Sequence, residues 1–295
     1  MERAKNHAAR KRSPVVNGIF YPESPEALRG RLLSWGLKKG ENCSSTGGQA
    51  ILAPHGAWEL TGSIAASAFA AVQSKGEKTG QRPSLRPPIS KIVLLGKSHQ
   101  SGEEGIYLSE SASFETPLGD LQVDRKLTRQ LASCSTLIRV NDIPHLSEHS
   151  LEVLLPMVKY CFPEAGIIPI LMSGGRQLLI STLARALRIA LEDYMEESLV
   201  IISSNVSQNP DPALALSMAD EFSSLLAKMD ARAFVGGLSS GRINASGGAL
   251  AGALLESGLL EGGSFSALCP LAQGKGEQGE TIFYGAFGVS ATPPG

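Results

Sequence analysis

Ile51-Leu52-Ala53-Pro54-His55-Gly56-Ala57-Trp58 and its echo, Ile92-Val93-Leu94-Leu95-Gly96-Lys97-Ser98-His99, decide how the chain is read. Each is a short apolar run that halts at a proline or glycine and then presents a histidine. Runs of this length without polar alternation read as strands buried on both faces, the pattern of a parallel sheet. In open α/β sheets, ligands sit beyond the carboxyl ends of the strands. His55 and His99 each lie just past such an end and are expected to face one crevice.

The same pattern extends outward. Leu199-Val200-Ile201-Ile202 is a third buried strand, followed by Ser203-Ser204-Asn205-Val206-Ser207-Gln208. Ile167 to Met172 is a fourth, in which Pro169 hints at an edge or irregular strand. Thr281 to Val289 closes the fold as one last strand. Helices are expected between them. Ser24-Pro25 makes an N-cap and first turn for a helix through Trp35. The small residues of Thr61 to Val72 suit a helix lying close to a sheet, and Asp124 to Leu131 reads as helical. Leu179, Leu183, Leu187 and Leu191 mark a helix over Gln177 to Glu192. Pro212 to Lys228 and Ala249 to Ser257 are two more. Ser147, Ser150 and Glu152 predict a capped helix start before Val153. Glu115 to Asp120 is a turn between two extended pieces, with both acids expected to fix it by local hydrogen bonds. Strands alternating with helices argue for a largely parallel sheet covered on both faces.

Composition narrows the class. The chain has 295 residues, 42% hydrophobic and 19% charged, with a net charge of −1. That suits one large α/β domain over residues 15–292 and no general nucleic-acid or membrane surface. The sequence contains no 18-residue apolar run, so no membrane span is expected. Cys43, Cys134, Cys161 and Cys269 are scattered without CxxC spacing, which predicts free thiols and a cytoplasmic setting. Met1 to Arg12 is basic with no apolar signal core after it, and residues 1–14 read as a disordered tail. Ser74 to Pro88 reads as an exposed loop.

Several ordered motifs together resemble the Memo family, called AmmeMemoRadiSam system protein B in bacteria. The likeness runs from about Val15 to Ser290. Its carriers are Gly18-Ile19-Phe20-Tyr21-Pro22, Ala53-Pro54-His55 with its trailing Gly62, Leu94 to His99, Glu115 to Asp120, and Glu148-His149-Ser150-Leu151-Glu152. The chain has Gly56-Ala57-Trp58 where the family usually carries Ala-Gly-Tyr, and Lys97 where proline is usual. The resemblance implies a three-layer α/β/α sandwich with a largely parallel or mixed sheet, similar to class III extradiol dioxygenases. Those enzymes hold non-haem iron with two histidines and a glutamate. Memo-like proteins are similar at the histidines and use a cysteine as third ligand, with iron or copper. His55 and His99 match the two histidine ligands.

The departures surround the pocket. Where the family pattern has aspartate and histidine after the third strand, this chain has Asn205 and Gln208. The matching dioxygenase histidine is an acid/base group, and an amide does not titrate near neutral pH. Aligning on Phe283-Tyr284-Gly285-Ala286 puts Gly274 where the cysteine would fall, with Cys269 upstream and out of register. Glu277 is the candidate substitute third ligand, which would make a two-histidine, one-carboxylate set that suits Fe(II), its other reading being a solvated loop charge in a Gly/Gln/Lys-rich turn. Asn244 replaces a residue that is commonly cysteine.

His149 is a further pocket candidate, alongside Asn205 and Gln208, its other reading being a helix-start residue bonded to backbone. His145 and His7 read as solvated. Trp58 reads as a pocket wall or as packing. Lys97 beside His99 disfavours a cation and favours an anion. The resulting expectation is a cytoplasmic binding or accessory protein with a partly degenerate metal pocket, taking a small-molecule or peptide ligand. Radical-SAM and AMMECR-type proteins are the partners the family name implies. The alternative is an iron- or copper-dependent oxidoreductase of extradiol-dioxygenase type. A third reading is phosphotyrosine-peptide binding at the cleft, to which some Memo-like proteins are linked; Lys97 motivates it.

Overall fold

The computed structural model describes residues 10–40, 49–73, 87–100 and 102–291. In chain order the elements are β1 (Lys11–Arg12), α1 (Pro25–Ser34), β2 (Ala50–Ala53), α2 (Trp58–Gln73), β3 (Lys91–Lys97), β4 (Gly105–Leu108), β5 (Ser113–Phe114) and β6 (Leu121–Gln122). Then come α3 (Arg125–Ser133), β7 (Ile138–Val140), α4 (Ile143–Leu146), α5 (Leu155–Cys161), β8 (Gly166–Ser173), α6 (Gln177–Leu191) and β9 (Ser198–Ser203). The last are β10 (Ser207–Asn209), α7 (Pro212–Ala227), α8 (Ala231–Ser239), α9 (Gly248–Glu256), β11 (Gly263–Ala267), β12 (Ala272–Lys275), β13 (Thr281–Tyr284) and β14 (Phe287–Ala291).

The main sheet has eight strands in the order β11-β14-β2-β9-β3-β8-β4-β7. Its centre, β2-β9-β3-β8, is parallel, as the apolar runs predict. β14 and β4 join that centre antiparallel, so the sheet as a whole is mixed. Successive side chains of a strand point to opposite faces, and the two faces have separate cores. Leu52, Val93, Leu95, Val200 and Ile202 pack under α3, α6, α7, α8 and α9. Ile51, Ile92, Leu94, Leu199 and Ile201 pack under α1, α2 and α5. The architecture is therefore an α/β/α sandwich, and β9 stands between the two strands that lead to His55 and His99.

Four local expectations change. β8 is an interior strand despite Pro169, paired to β3 along its length and to β4 from Ile170 onward. Asp124 N–H reaches the Ile167 carbonyl on the side away from β3. Pro169, two residues on, turns its nitrogen to the same side, where β4 stops short and needs no donor. The closing strand divides into β13 and β14, which belong to different sheets. No helix starts at Ser147: Ser150 gives its hydroxyl to the Lys97 carbonyl, 2.9 Å away, and its N–H to Glu148, 2.8 Å away. A single helical turn begins at Glu152, and α5 follows it.

The fourth is the N-terminal tail. Residues 1–9, His7 among them, lie outside the described residues, as do Cys43 and the loop of residues 74–86. From Arg10 the chain is placed: β1 pairs with β5, and Arg12 is 3% exposed. Its guanidinium pairs with Glu152 and donates to the carbonyls of His145 (3.0 Å) and Glu148 (2.7 Å). Glu152 also accepts the N–H groups of Val15 (2.9 Å) and Val16 (2.8 Å) and the Tyr21 hydroxyl (2.9 Å). Glu115 and Asp120 serve this same segment, accepting from Ser13 (2.5 Å) and Lys11 (2.7 Å). Residues 11–21 thus form a strap across the loop of residues 145–152.

Breaking the strap from one side leaves a carboxylate buried without its cation. Arg12→Met is expected to lower unfolding free energy by ~3–5 kcal/mol in urea titrations. A loss below about 1 kcal/mol, the range of a surface pair, would show that the pair is not the clamp.

Candidate metal centre

His55 follows β2 through Ala53-Pro54, and His99 follows β3 through Ser98. Their ring centroids are 5.3 Å apart. His149, on the strapped loop, completes the group: its ring stacks on His99 at 4.9 Å and lies 6.0 Å from His55. Phe20 packs edge-on against the far side of His149 at 5.2 Å. The loop approaches β3 this closely because residue 96 is glycine. A Cβ there would lie 2.5 Å from the Leu151 side chain and 2.8 Å from Ser150 Oγ.

The hydrogen bonds assign the tautomers of two rings. Ser203 Oγ donates its one proton to the Ser150 carbonyl at 2.5 Å, so toward His55 Nδ1, at 2.9 Å, it accepts. His55 therefore carries its proton on Nδ1, leaving the Nε2 lone pair free. His99 Nδ1 lies 2.8 Å from Glu148 Oε1 and donates to it, which leaves its Nε2 free as well. Ligating imidazoles are held in this way, with the second nitrogen bonded to a carboxylate or another acceptor.

Ligand-type atoms of His99, Glu148 and His149 lie within 4.8 Å of one another, a group able to hold a metal ion; His55, in ring contact with both histidines, is not within that group. Within it Glu148 is the residue already in use. Its Oε1 accepts His99 Nδ1–H and the Ser150 N–H, and its Oε2 accepts the His99 N–H at 2.6 Å. Burial pushes this carboxyl up, but the hydrogen bonds from His99 outweigh it and hold the group down at about 2. Glu148 is thus an ionised orienting group.

His55 and His149 tend toward neutrality, the form that binds metals. Burial, helped by the neighbouring rings of His99 and His149, pulls His55 down to about 3. Burial also lowers His149, with Glu148 acting against it. Imidazole nitrogens backed by a carboxylate suit Zn, Cu, Fe or Ni better than Mg or Ca.

The other expected site residues fall differently. Glu277 is exposed on the turn between β12 and β13. Its charge reaches His149, but it is not in the close group. Asn205 is buried and exchanges two hydrogen bonds with Ser246, at 3.1 and 2.8 Å. Gln208 donates to Glu280 at 2.9 Å. Asn244 donates to the Gln208 carbonyl at 2.8 Å. Among the described residues no hydrogen bond joins Asn205 or Gln208 to the histidines. Cys269 packs against the core face beneath α2 and is not in the close group either. Gly274 lies in β12, opposite Ile282. Trp58 is packing, buried between Tyr21 and Trp35.

His145 is buried, not solvated: it is 2% exposed and donates Nε2–H to the Tyr107 carbonyl at 3.2 Å. Ser203 and Glu148 are the site residues that sequence reasoning passed over. Their signal was an acid directly before His149 and a serine closing a buried strand.

An α/β sandwich with imidazoles gathered at the carboxyl ends of its parallel strands defines the class. The Memo-like protein family matches residues 12–247, and the chain belongs to it. It is 31% identical over 205 residues to a MEMO1 family protein of Pyrobaculum aerophilum, covering 66% of this chain and 68% of that protein. It is 26% identical over 250 residues to one from Nitrosopumilus maritimus, covering 83% and 86%. Among solved structures it is similar to an uncharacterized protein from Escherichia coli K12, with a TM-score of 0.46 and 15% identity over 81% of this chain and 98% of that one. No helix among the described residues is long and apolar enough to cross a membrane.

The electrostatics predict a pH profile for stability. Burial pulls His145 down to about 4 and His55 to about 3, against 6.5 for a free imidazole. The unfolded chain then binds more protons between those values, so stability is complete above 6.5 and falls as pH drops toward 4. Glu148 adds a loss below 4.5, continuing toward 2. The urea midpoint is expected to decline with acid from pH 6.5, with a shallower slope in His145→Asn. A midpoint that rises on acidification through this window would contradict the assignment.

Proposed function

We propose that His55, His99 and His149 hold one divalent transition-metal ion, and that the protein works as a metal-dependent binding or accessory component. The observation that carries this is the convergence of three imidazoles, at 4.9 to 6.0 Å between ring centroids, with the Nδ1 atoms of two of them already engaged. Iron or copper are the metals that the family resemblance favours. A bound ion would supply Lewis acidity or redox chemistry to a small molecule in the cleft. The chain's own part is to hold His99 by Glu148 and His55 by Ser203, so that both Nε2 lone pairs stay available.

A binding role is preferred to dioxygenase-type oxidation because Asn205 and Gln208 offer no titrating group where an acid or base is expected. Their hydrogen bonds build a wall of the cleft instead. His149 is preferred to Glu277 as the third ligand because it is the residue in ring contact with the other two. A cytoplasmic setting is supported by the free thiols of Cys134 and Cys269. Partnership with radical-SAM and AMMECR-type proteins is supported by family membership alone.

Metal analysis after anaerobic loading with Fe(II), and separately with Cu, tests the reading. One ion per chain is expected, with none retained by His99→Ala or His149→Ala. Glu148→Gln should weaken affinity ~10–100-fold, the usual effect of losing an orienting carboxylate. Glu277→Gln should change it by less than about fivefold, as for an exposed charge acting through solvent. Metal that survives His149→Ala but is lost in Glu277→Gln would replace this ligand set with the carboxylate one.

A further inference from the structure

Beside the histidine cluster lies a separate cavity of about 300 Å³, at the carboxyl ends of β3 and β8. Its lining includes Lys97, Gly175, Asn244, Ser246 and Ala249, and no carboxylate. Lys97 is exposed, and among the described residues its ammonium has no hydrogen-bond or ion-pair partner. The remaining polar lining is serine, asparagine and backbone.

The backbone adds to the same polarity. Gly175, just before α6, sits against Ala249 in the first turn of α9, where an added Cβ would lie 3.7 Å from that of Ala249. Glu256, the last residue of α9, accepts from Gln177 (3.0 Å) and Ser181 (2.5 Å) of α6. The helices pack side by side, and the cavity is lined by Gly174 and Gly175, which lead into α6, and by the first turn of α9. Neither helix has a side-chain cap. The amino end of α9 and one unpaired ammonium give a concave, anion-favouring surface.

We infer that this cavity binds a small molecule carrying an oxyanion group, a carboxylate or a phosphate ester, with Lys97 taking the acid group. The volume lies at the lower end of ligand pockets, which suits a metabolite-sized molecule and not a folded partner. The wall is joined to the histidines: Ser246 is bonded to Asn205, two residues beyond the Ser203 that holds His55. A ligand seated by its acid group on Lys97 would extend toward the cluster. The inference does not require the metal.

Calorimetric titrations of metal-stripped full chain with benzoate, phenyl phosphate and benzyl alcohol test it. Saturable binding is expected for at least one acid, about tenfold or more tighter than for the neutral alcohol, as for a charge-assisted contact. The tighter acid identifies the group. Lys97→Met should bring that acid to the level of the alcohol, and Lys97→Arg should restore most of the difference. Ala249→Phe should abolish binding by filling the cavity while the charge remains. The inference is overturned if neither acid binds saturably, if acid and alcohol bind alike, or if Lys97→Met or Ala249→Phe leaves acid binding unchanged. Because the ion is removed, none of these outcomes bears on the metal proposal.

Discussion

A carboxylate removed from water must be met by donors on nearly every lone pair, or it destabilises the fold by several kcal/mol. Five residues of this chain, Glu148 to Glu152, bury two of them. Glu152 is met by a guanidinium, two backbone N–H groups and a phenol, all from residues 12–21. Glu148 is met by an imidazole and two N–H groups from the loop itself and the end of β3. The loop cannot shift without stranding one charge or the other. Its rigidity fixes the His99 ring directly and places His149 against it. The centre depends on an N-terminal segment remote from it in sequence.

That dependence explains which features were legible in advance. Buried parallel strands announce themselves, because neither face meets water and the apolar run is unbroken; β2, β3, β8 and β9 were readable on that ground alone. β1 was not, because two residues carry no periodicity. Arg12 in a basic segment looks like solvated charge until its acceptor is known, and Glu152 lies 140 positions away. His145 was misread for the same reason. Its partner, the Tyr107 carbonyl, is supplied by a strand that local pattern did not reveal. Pro169 obeyed the rule about missing donors, yet the gap that admits it is set by how far β4 extends, which is a tertiary fact.

At the centre, the histidine pair was visible from the strand ends, while the expected third ligand, Glu277, falls outside the close group of His99, Glu148 and His149. Glu277 was the nearest carboxylate in sequence to the expected third-ligand position. Sequence distance from that position says little about which side chain a hairpin turn points inward. His149 lies directly beside a buried acid, and such an acid needs donors; a histidine next to it is drawn into the same enclosed volume. Asn205 and Gln208 show the complementary effect. Asn205 pairs with Ser246 twice, donating through its backbone N–H and accepting through its side-chain oxygen. The exchange of a titrating pair for amides removes proton transfer, while the two Asn205–Ser246 bonds, which need only a backbone N–H and a side-chain oxygen, tie the loop of residues 243–246 to the end of β9.

The field across the cleft is uneven as a result. Glu277 contributes negative potential at His149, while Lys97 contributes positive potential at His55. Glu148, ionised inside the cluster, acts on His55 more strongly than Lys97 does and on His149 more strongly than Glu277 does. The proposed cation seat at the histidines therefore has a negative charge built into it, while the proposed anion seat beside Lys97 has none in its lining. The two proposed seats, of opposite preference, would let an ion and an acid occupy the cleft together. That requires the wall between them to stay in place, which the Asn205–Ser246 bonds and the Gly247 N–H to Ser204 Oγ contact at 2.8 Å accomplish. A Cβ at residue 247 would lie 2.6 Å from the Ser203 carbonyl, so even the closeness of that wall depends on a missing side chain.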